Sequence, residues 1–295
     1  MLGAAIATSG LTKDFGQLRA VDHLHLEVER GEIFGFLGPN GAGKTTTIRM
    51  LLDFIRPTAG TAEVLGGSGA DPEVRRKLGY LPAELHLNRR YSGETTMSYL
   101  GSLRGGFDEP FARNLAERFR LDLDRPFGEL STGNRRKIGI VQAFMHHPEL
   151  LILDEPTSGL DPLLQDEFQA LVRDSAQKGA TVFLCSHVLP EVEALADRVA
   201  IIRSGKLATV AHIDELRTRA RHRMVMVVDG PFDPGNFQRL PGVISAEGNG
   251  QKLEVVAEGS VDAVVKEAAK LTIKRLDTPG DDLAEIFRAF YEGDE

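Results

Sequence analysis

Two hydrophobic periods alternate along most of the chain. Residues 6–13 and 21–28 predict strands, the second with Val21, Leu24, Leu26 and Val28 apolar and polar residues between them. His23 and His25 share one face of that strand with no third ligand near, and are expected to face solvent. Phe15-Gly16 makes the turn between the two strands. The apolar run 33–37 predicts a buried strand, and a helical pattern follows over 46–54, closed by Arg56-Pro57. Strands are expected at 58–65 and 79–81, with a short helix over 72–77. Residues 83–142 read as mostly helical, broken at Gly105-Gly106 and at Arg125-Pro126-Phe127-Gly128. Within this block Ser131 or Thr132 caps a helix whose apolar face is Ile138, Val141, Phe144 and Met145. The short apolar runs 150–153 and 181–185 predict central parallel strands, and 199–203 with 206–210 a hairpin.

After about Leu216 the pattern changes. Residues 217–223 are basic and read as an exposed connector; 225–228, 243–246, 252–256 and 271–276 read as strands, and Asp233-Pro234-Gly235 as a turn. Helical stripes run through Val261, Val264, Val265 and Ala268, and through Leu283, Ile286, Phe287, Phe290 and Tyr291. The expected architecture is an α/β domain with an inserted helical subdomain at about 83–142, followed by a small α+β domain of ferredoxin-like kind over 217–295.

Composition adds exclusions. A chain of 295 residues allows about two domains. Its net charge of −8 argues against a nucleic-acid partner, and Arg89-Arg90 and Arg135-Arg136-Lys137 read as solvated surface. With one cysteine there is no disulfide framework, and Cys185, inside an apolar run, is expected to be buried and inert. Residues 1–10 lack the pattern of a signal peptide, and no apolar run approaches the ~20 residues of a membrane span.

The chemistry centres on Gly38-Pro39-Asn40-Gly41-Ala42-Gly43-Lys44-Thr45, a complete phosphate loop between a strand and a helix. Glycines let backbone N–H groups approach a phosphate, and a helix N-terminus faces the anion. Lys44 then reaches the β- and γ-phosphates and the Thr45 hydroxyl takes a place on Mg2+. Ligands in such sheets bind beyond the strands' carboxyl ends, so Asp154, Glu155 and His187 should emerge beside the loop. Asp154 can hold Mg2+ through water and Glu155 can orient or deprotonate an attacking water; the plainer alternative is a capping carboxylate pair. Phe15 is either a stacking surface for adenine or a packed turn residue.

In order, the aromatic turn, the phosphate loop, Leu130-Ser131-Thr132-Gly133-Asn134, the apolar run into Asp154-Glu155, Ser158-Gly159-Leu160-Asp161 and His187 resemble the nucleotide-binding subunit of an ATP-binding cassette (ABC) transporter. The resemblance covers roughly residues 1–216, and the remainder resembles, less specifically, the accessory domain of bacterial exporter ATPases. It implies ATP and Mg2+ as ligands, Phe15 on the adenine, and residues 38–46, Thr46 included, around the phosphates. It implies that Asp154 is the Walker B carboxylate, Glu155 the catalytic base and His187 the switch histidine. It further implies a homodimer in which Ser131 and Gly133 act on the partner's nucleotide and Asp161 lies at the interface. ATP closes such a dimer and hydrolysis reopens it. The implied partners are separate transmembrane permease subunits, and the implied place is the cytoplasmic face of the membrane.

Two departures stand out. Thr132 and Asn134 replace a glycine and the glutamine of the usual signature. The family's coupling glutamine after residues 78–82 is missing: Ala83 stands there, followed by Glu84. Glu84 is either a substitute oxygen ligand for Mg2+ or the exposed start of the next helix. The expected function is an ATP-hydrolysing exporter subunit. A ribosome- or DNA-associated ABC ATPase is disfavoured by the single phosphate loop and absent heptads, and a nucleotide-gated regulator by Glu155 and His187. A GTPase lacks its Asn-Lys-x-Asp motif here.

Overall fold

The computed structural model describes residues 3–218 and 221–278. The chain divides into two compact units, Met1–Val210 and Ala211–Glu295. The first begins with β1 (Ile6–Phe15) and β2 (Leu18–Val28), paired antiparallel, so Phe15 ends a strand and the turn is Gly16-Gln17. Then come β3 (Ile33–Leu37), α1 (Lys44–Leu51), β4 (Ala59–Val64), α2 (Pro72–Arg76) and β5 (Leu78–Leu81). The helical subdomain carries α3 (Gly93–Arg104), α4 (Glu109–Arg118) and α5 (Thr132–Phe144). The chain returns through β6 (Leu150–Asp154), α6 (Pro162–Gln177), β7 (Thr181–Ser186), α7 (Leu189–Leu195), β8 (Arg198–Arg203) and β9 (Lys206–His212).

Six strands form one sheet in the order β5-β6-β7-β3-β8-β9, and β2-β1-β4 a second, antiparallel one. Every residue of β3, β6 and β7 is buried, as unbroken apolar runs require. Phe183 stacks on Phe34 at 6.1 Å and tilts against Phe36 at 5.3 Å, filling the space toward β1 and β2. Parallel pairing sets Leu37 opposite Ser186, Cys185 opposite Asp154 and Leu153 opposite Leu81. The loops after these strands therefore leave the sheet at one level.

Residues 83–92 are not helical, contrary to expectation. Asn88 Oδ1 accepts from the Arg90 N–H at 3.0 Å, and the helix starts only at Ser92, whose Oγ accepts from Thr95 N–H at 3.1 Å. Such local side-chain bonds compete with a continuous helix. Glu84 is thus not a helix start. The expected breaks hold: Gly105 closes α3 in the left-handed conformation with φ +88°, and Phe127–Glu129 is a single 3-10 turn.

β5 is the edge strand of the large sheet, and α5 covers it. A Cβ at Gly79 would stand 2.2 Å from the Ala143 carbonyl, so only glycine admits this approach. Side chains of α5 and the residues after it then donate to the free carbonyls of the edge: Arg136 to Pro82, Gln142 to Tyr80 at 2.6 Å, and His146 to Leu78 at 2.9 Å. These three carbonyls of the edge are thereby taken up by side chains.

The second unit contains α8 (Ile213–Thr218), β10 (Arg221–Asp229), α9 (Pro234–Gln238), β11 (Val243–Asn249), β12 (Lys252–Glu258), α10 (Asp262–Ala268) and β13 (Thr272–Asp277). From β10 onward the connectivity is β-α-β-β-α-β, with the antiparallel order β11-β12-β10-β13 of a ferredoxin-like sheet. Met226, Val228, Leu253, Val255, Phe237 and Val264 fill its core. Residues 221–223, expected in a connector, belong to β10, where Arg223 bonds across to Glu254 at 2.7 Å. The expected turn at Asp233 opens α9 instead, since Asp233 Oδ1 caps Gly235 N–H at 2.9 Å and Pro234 follows. The stripe from Leu283 to Tyr291 lies outside the described residues.

His146 gives the first unit an acid sensitivity. Its Nε2–H serves Leu78, its buried Nδ1 has no partner, and burial first, with Arg104 second, lowers its pKa to about 4. The unfolded chain takes up this proton below 6.5, while the folded one resists until about 4, so stability falls as pH drops through that window. The contribution is on the order of 3 kcal/mol. Denaturant unfolding across that window should show a shallower loss for His146→Gln, whose amide still reaches Leu78. Equal slopes for the two proteins would refute the assignment.

Candidate functional site

The phosphate loop leaves β3 in the middle of the sheet and closes on α1. Its geometry is set by glycine: Gly43 has φ +109°, and a Cβ there would lie 2.5 Å from the Ala20 carbonyl. Gly38 and Ala42 are buried, while Pro39, Asn40 and Gly41 stand exposed at the rim. Lys44 is buried to 6 % exposure, and its Nζ donates to the carbonyls of Gly38 at 2.6 Å and Pro39 at 3.3 Å. It also lies 3.6 Å from Glu155 Oε1. Thr45 and Thr46, on the first turn of α1, are half-buried.

Across the loop, Thr45 Oγ1 donates to Asp154 Oδ2 at 2.9 Å. Asp154 is fully buried and its other oxygen, Oδ1, has no hydrogen-bond partner. Burial first, and then neighbouring Glu155, push its pKa up against the pull of Thr45, Lys44 and Arg136. Among the described residues no three His, Cys, Asp or Glu side chains cluster as a metal cage. One hydroxyl and one carboxylate oxygen suit Mg2+, which keeps water and phosphate oxygens for its remaining positions.

Glu155 follows β6 with φ +49°, a left-handed conformation that few non-glycine residues adopt. That turn aims its side chain between Lys44 and His187, whose Nδ1–H donates to Glu155 Oε2 at 2.7 Å. His187 is half-exposed, just beyond Ser186. The structure therefore brings together Lys44, Thr45, Asp154, Glu155 and His187, as expected. A capping role for the Asp154-Glu155 pair does not apply, because the next helix, α6, is capped by Asp161, whose Oδ1 accepts from Leu164 N–H at 3.0 Å.

Ser131 caps α5, accepting from Asn134 N–H at 3.3 Å, and stays exposed with Thr132. A Cβ on Gly133 would lie 2.8 Å from the Gly159 carbonyl, so the signature helix packs directly on the segment leading to Asp161. Phe15 is 49 % exposed, with Lys13 Nζ 5.1 Å from its ring centroid, so it is not a packed turn residue. Glu84 extends into solvent from the irregular segment, 3.9 Å from His86.

Two participants escape the sequence reading. Glu191, on α7, accepts from Ser186 Oγ at 2.8 Å and from Thr157 Oγ1, joining the segments that carry His187 and Glu155. Arg136 is no solvated cation: it is 5 % exposed and turned into the site, whereas Arg135 lies 5.3 Å over the Phe127 ring. The available signal is helical spacing, since Arg136 stands four and eight residues before the buried Ile140 and Phe144.

Residues 21–158 match the ABC transporter family. The chain is 38% identical over 252 residues to the bacitracin transport ATP-binding protein BcrA of Bacillus licheniformis, spanning 80% of this chain and 82% of that protein. It is 38% identical over 221 residues to the daunorubicin/doxorubicin resistance ATP-binding protein DrrA of Streptomyces peucetius, spanning 72% and 67%. The dimeric structure of MJ0796, a bacterial ABC transporter cassette, shares the fold with a TM-score of 0.63 at 19% identity, over 70% of this chain and 98% of that one. The chain belongs to the ATP-binding proteins of ABC transporters, and is an ATPase of that family that powers transport.

Proposed function

We propose that two copies of this cassette close over ATP and Mg2+ beneath separate transmembrane permease subunits, at the cytoplasmic face of a membrane, and drive export. The observation that carries hydrolysis is the Glu155 carboxylate, held between Lys44 at 3.6 Å and His187 at 2.7 Å and next to the Thr45–Asp154 pair. No helix among the described residues is long and apolar enough to cross a membrane, which fits a reading in which separate subunits form the transport path. The roles that the relatives are named for, bacitracin transport and drug resistance, support export as the direction.

In this reading the 38–46 loop seats the phosphates and Phe15 offers a ring face to the adenine. Lys44 neutralises the β- and γ-oxygens. Thr45 Oγ1 and Asp154 would hold Mg2+, which when bound offsets phosphate charge. Water attacks the γ-phosphorus, Glu155 takes its proton, and the bond to the ADP oxygen breaks with its electron pair passing to ADP. The His187 Nδ1–H fixes the orientation of the base. Exposed Ser131 and half-buried Gly133 complete the site of the second copy, with Asp161 at the interface, and the second unit serves contacts or regulation. Glu84 keeps the role of a solvent-side oxygen able to join Mg2+ only if the segment after Pro82 moves.

Glu155→Gln keeps the shape and removes the base, so ATPase should fall by roughly 10²–10⁴, while ATP binding persists and an ATP-loaded dimer accumulates on size exclusion. Wild-type turnover in this variant would show that another group takes the proton. The shared site is tested by mixing Ser131→Arg with Lys44→Ala subunits, each inactive alone. One composite site keeps both native residues, so part of the ATPase should return. A mixed dimer that forms without activity would rule out a signature acting across the interface.

A further inference from the structure

Arg136 is a cation buried at the catalytic turn, and all its hydrogen bonds go to backbone oxygens. Its Nε donates to the Pro156 carbonyl at 3.0 Å, its Nη2 to Asp154 at 2.5 Å and to Glu155, and its Nη1 to Ala83 at 3.1 Å and to Pro82. A guanidinium has five N–H donors in a fixed plane, and here each has a carbonyl. Carbonyls of successive residues in a strand point to opposite sides, so three in a row cannot meet one group unless the chain turns between them. The turn is made at Glu155, with φ +49°. A left-handed glutamate is strained and persists only where its surroundings hold it.

We propose that Arg136 is the positioning residue of the hydrolytic site: it clamps the 154–156 turn so that the Glu155 carboxylate stays between Lys44 and His187. The clamp has two further ends. Arg136 sits in α5, five residues after the signature cap Ser131, so the seat of that helix and the set of the base are mechanically one. It also holds the Pro82-Ala83 backbone, where the family's glutamine is missing. The segment after β5 is thereby tied to the catalytic turn through main-chain oxygens. This rests on the reading of Glu155 as base.

The experiment compares Arg136→Lys and Arg136→Gln with wild type for ATPase kcat and KM, binding of a fluorescent ATP analogue, and thermal melting. Lysine keeps the charge but has three donors on one point and cannot span five carbonyls. Both variants should lose about 10- to 100-fold in kcat, with KM and nucleotide affinity little changed, because Lys44 and its loop are not held by Arg136. Hydrogen exchange should quicken together in peptides covering 82–92 and 155–160 and stay unchanged in β3. If Arg136→Gln does not fold, Arg136→Lys carries the test. Wild-type kcat in Arg136→Lys, or a raised KM with kcat intact, overturns the proposal. Glu155→Gln assayed alongside separates the causes. An active Glu155→Gln removes the base assignment and the role of Arg136 with it, whereas an inactive one beside fully active Arg136 variants removes the clamp alone.

Discussion

The parallel pairing of β7 with both β3 and β6 brings three fully buried strands to the same level at their carboxyl ends. The pairing is fixed by apolar side chains on both faces, and a slip of one residue would misplace every one of them. Because the strands cannot slide, the groups that follow them cannot drift. Thr45 finds Asp154 and Glu155 finds His187 across loops that are far apart in sequence. Catalytic geometry is here a by-product of core packing.

That arrangement concentrates charge where water is scarce. Lys44, Asp154 and Arg136 are each nearly sealed from solvent, with Glu155 only slightly more open. Burial pushes Asp154 toward its neutral form and pulls Arg136 down to about 10, yet each lies in the other's field, which opposes both shifts. Such a set is stable as a group and costly to break singly. It also leaves the site short of positive charge once phosphates arrive, which is the condition a divalent cation relieves.

How much of this was legible in the sequence follows from how local each signal is. The phosphate loop, Asp154, Glu155 and His187 were readable because glycine spacing and strand ends constrain residue types over a few positions. The two-sheet arrangement of the cassette was not, since pairing of β1 with β4 links segments fifty residues apart and leaves no periodic trace. Residues 83–92 carried helix-forming types, and only the Asn88 and Ser92 side chains show where the helix cannot begin. Arg136 was hidden inside the basic triplet 135–137, whose composition speaks of solvent while the helical phase of its middle member speaks of the core. In the second unit, strand alternation and the valine stripe marked strands and one helix of a small α+β domain, but the sheet order comes from long-range pairing, α9 was hidden behind a turn-like Asp233-Pro234-Gly235, and β10 began earlier than its basic start implied.

The single cysteine of the chain lies in the middle of this sealed sheet. Cys185 has no exposed surface, sits opposite Asp154 on β7, and has its thiol pKa raised well above the ordinary value by burial. A thiol that is neither ionised nor reachable does not react with maleimides or oxidants while the fold is intact. The native protein is therefore a silent background for thiol chemistry. A cysteine added on its surface becomes the sole attachment point for a fluorophore or spin label, and any labelling of the unaltered chain reports that the central sheet has opened.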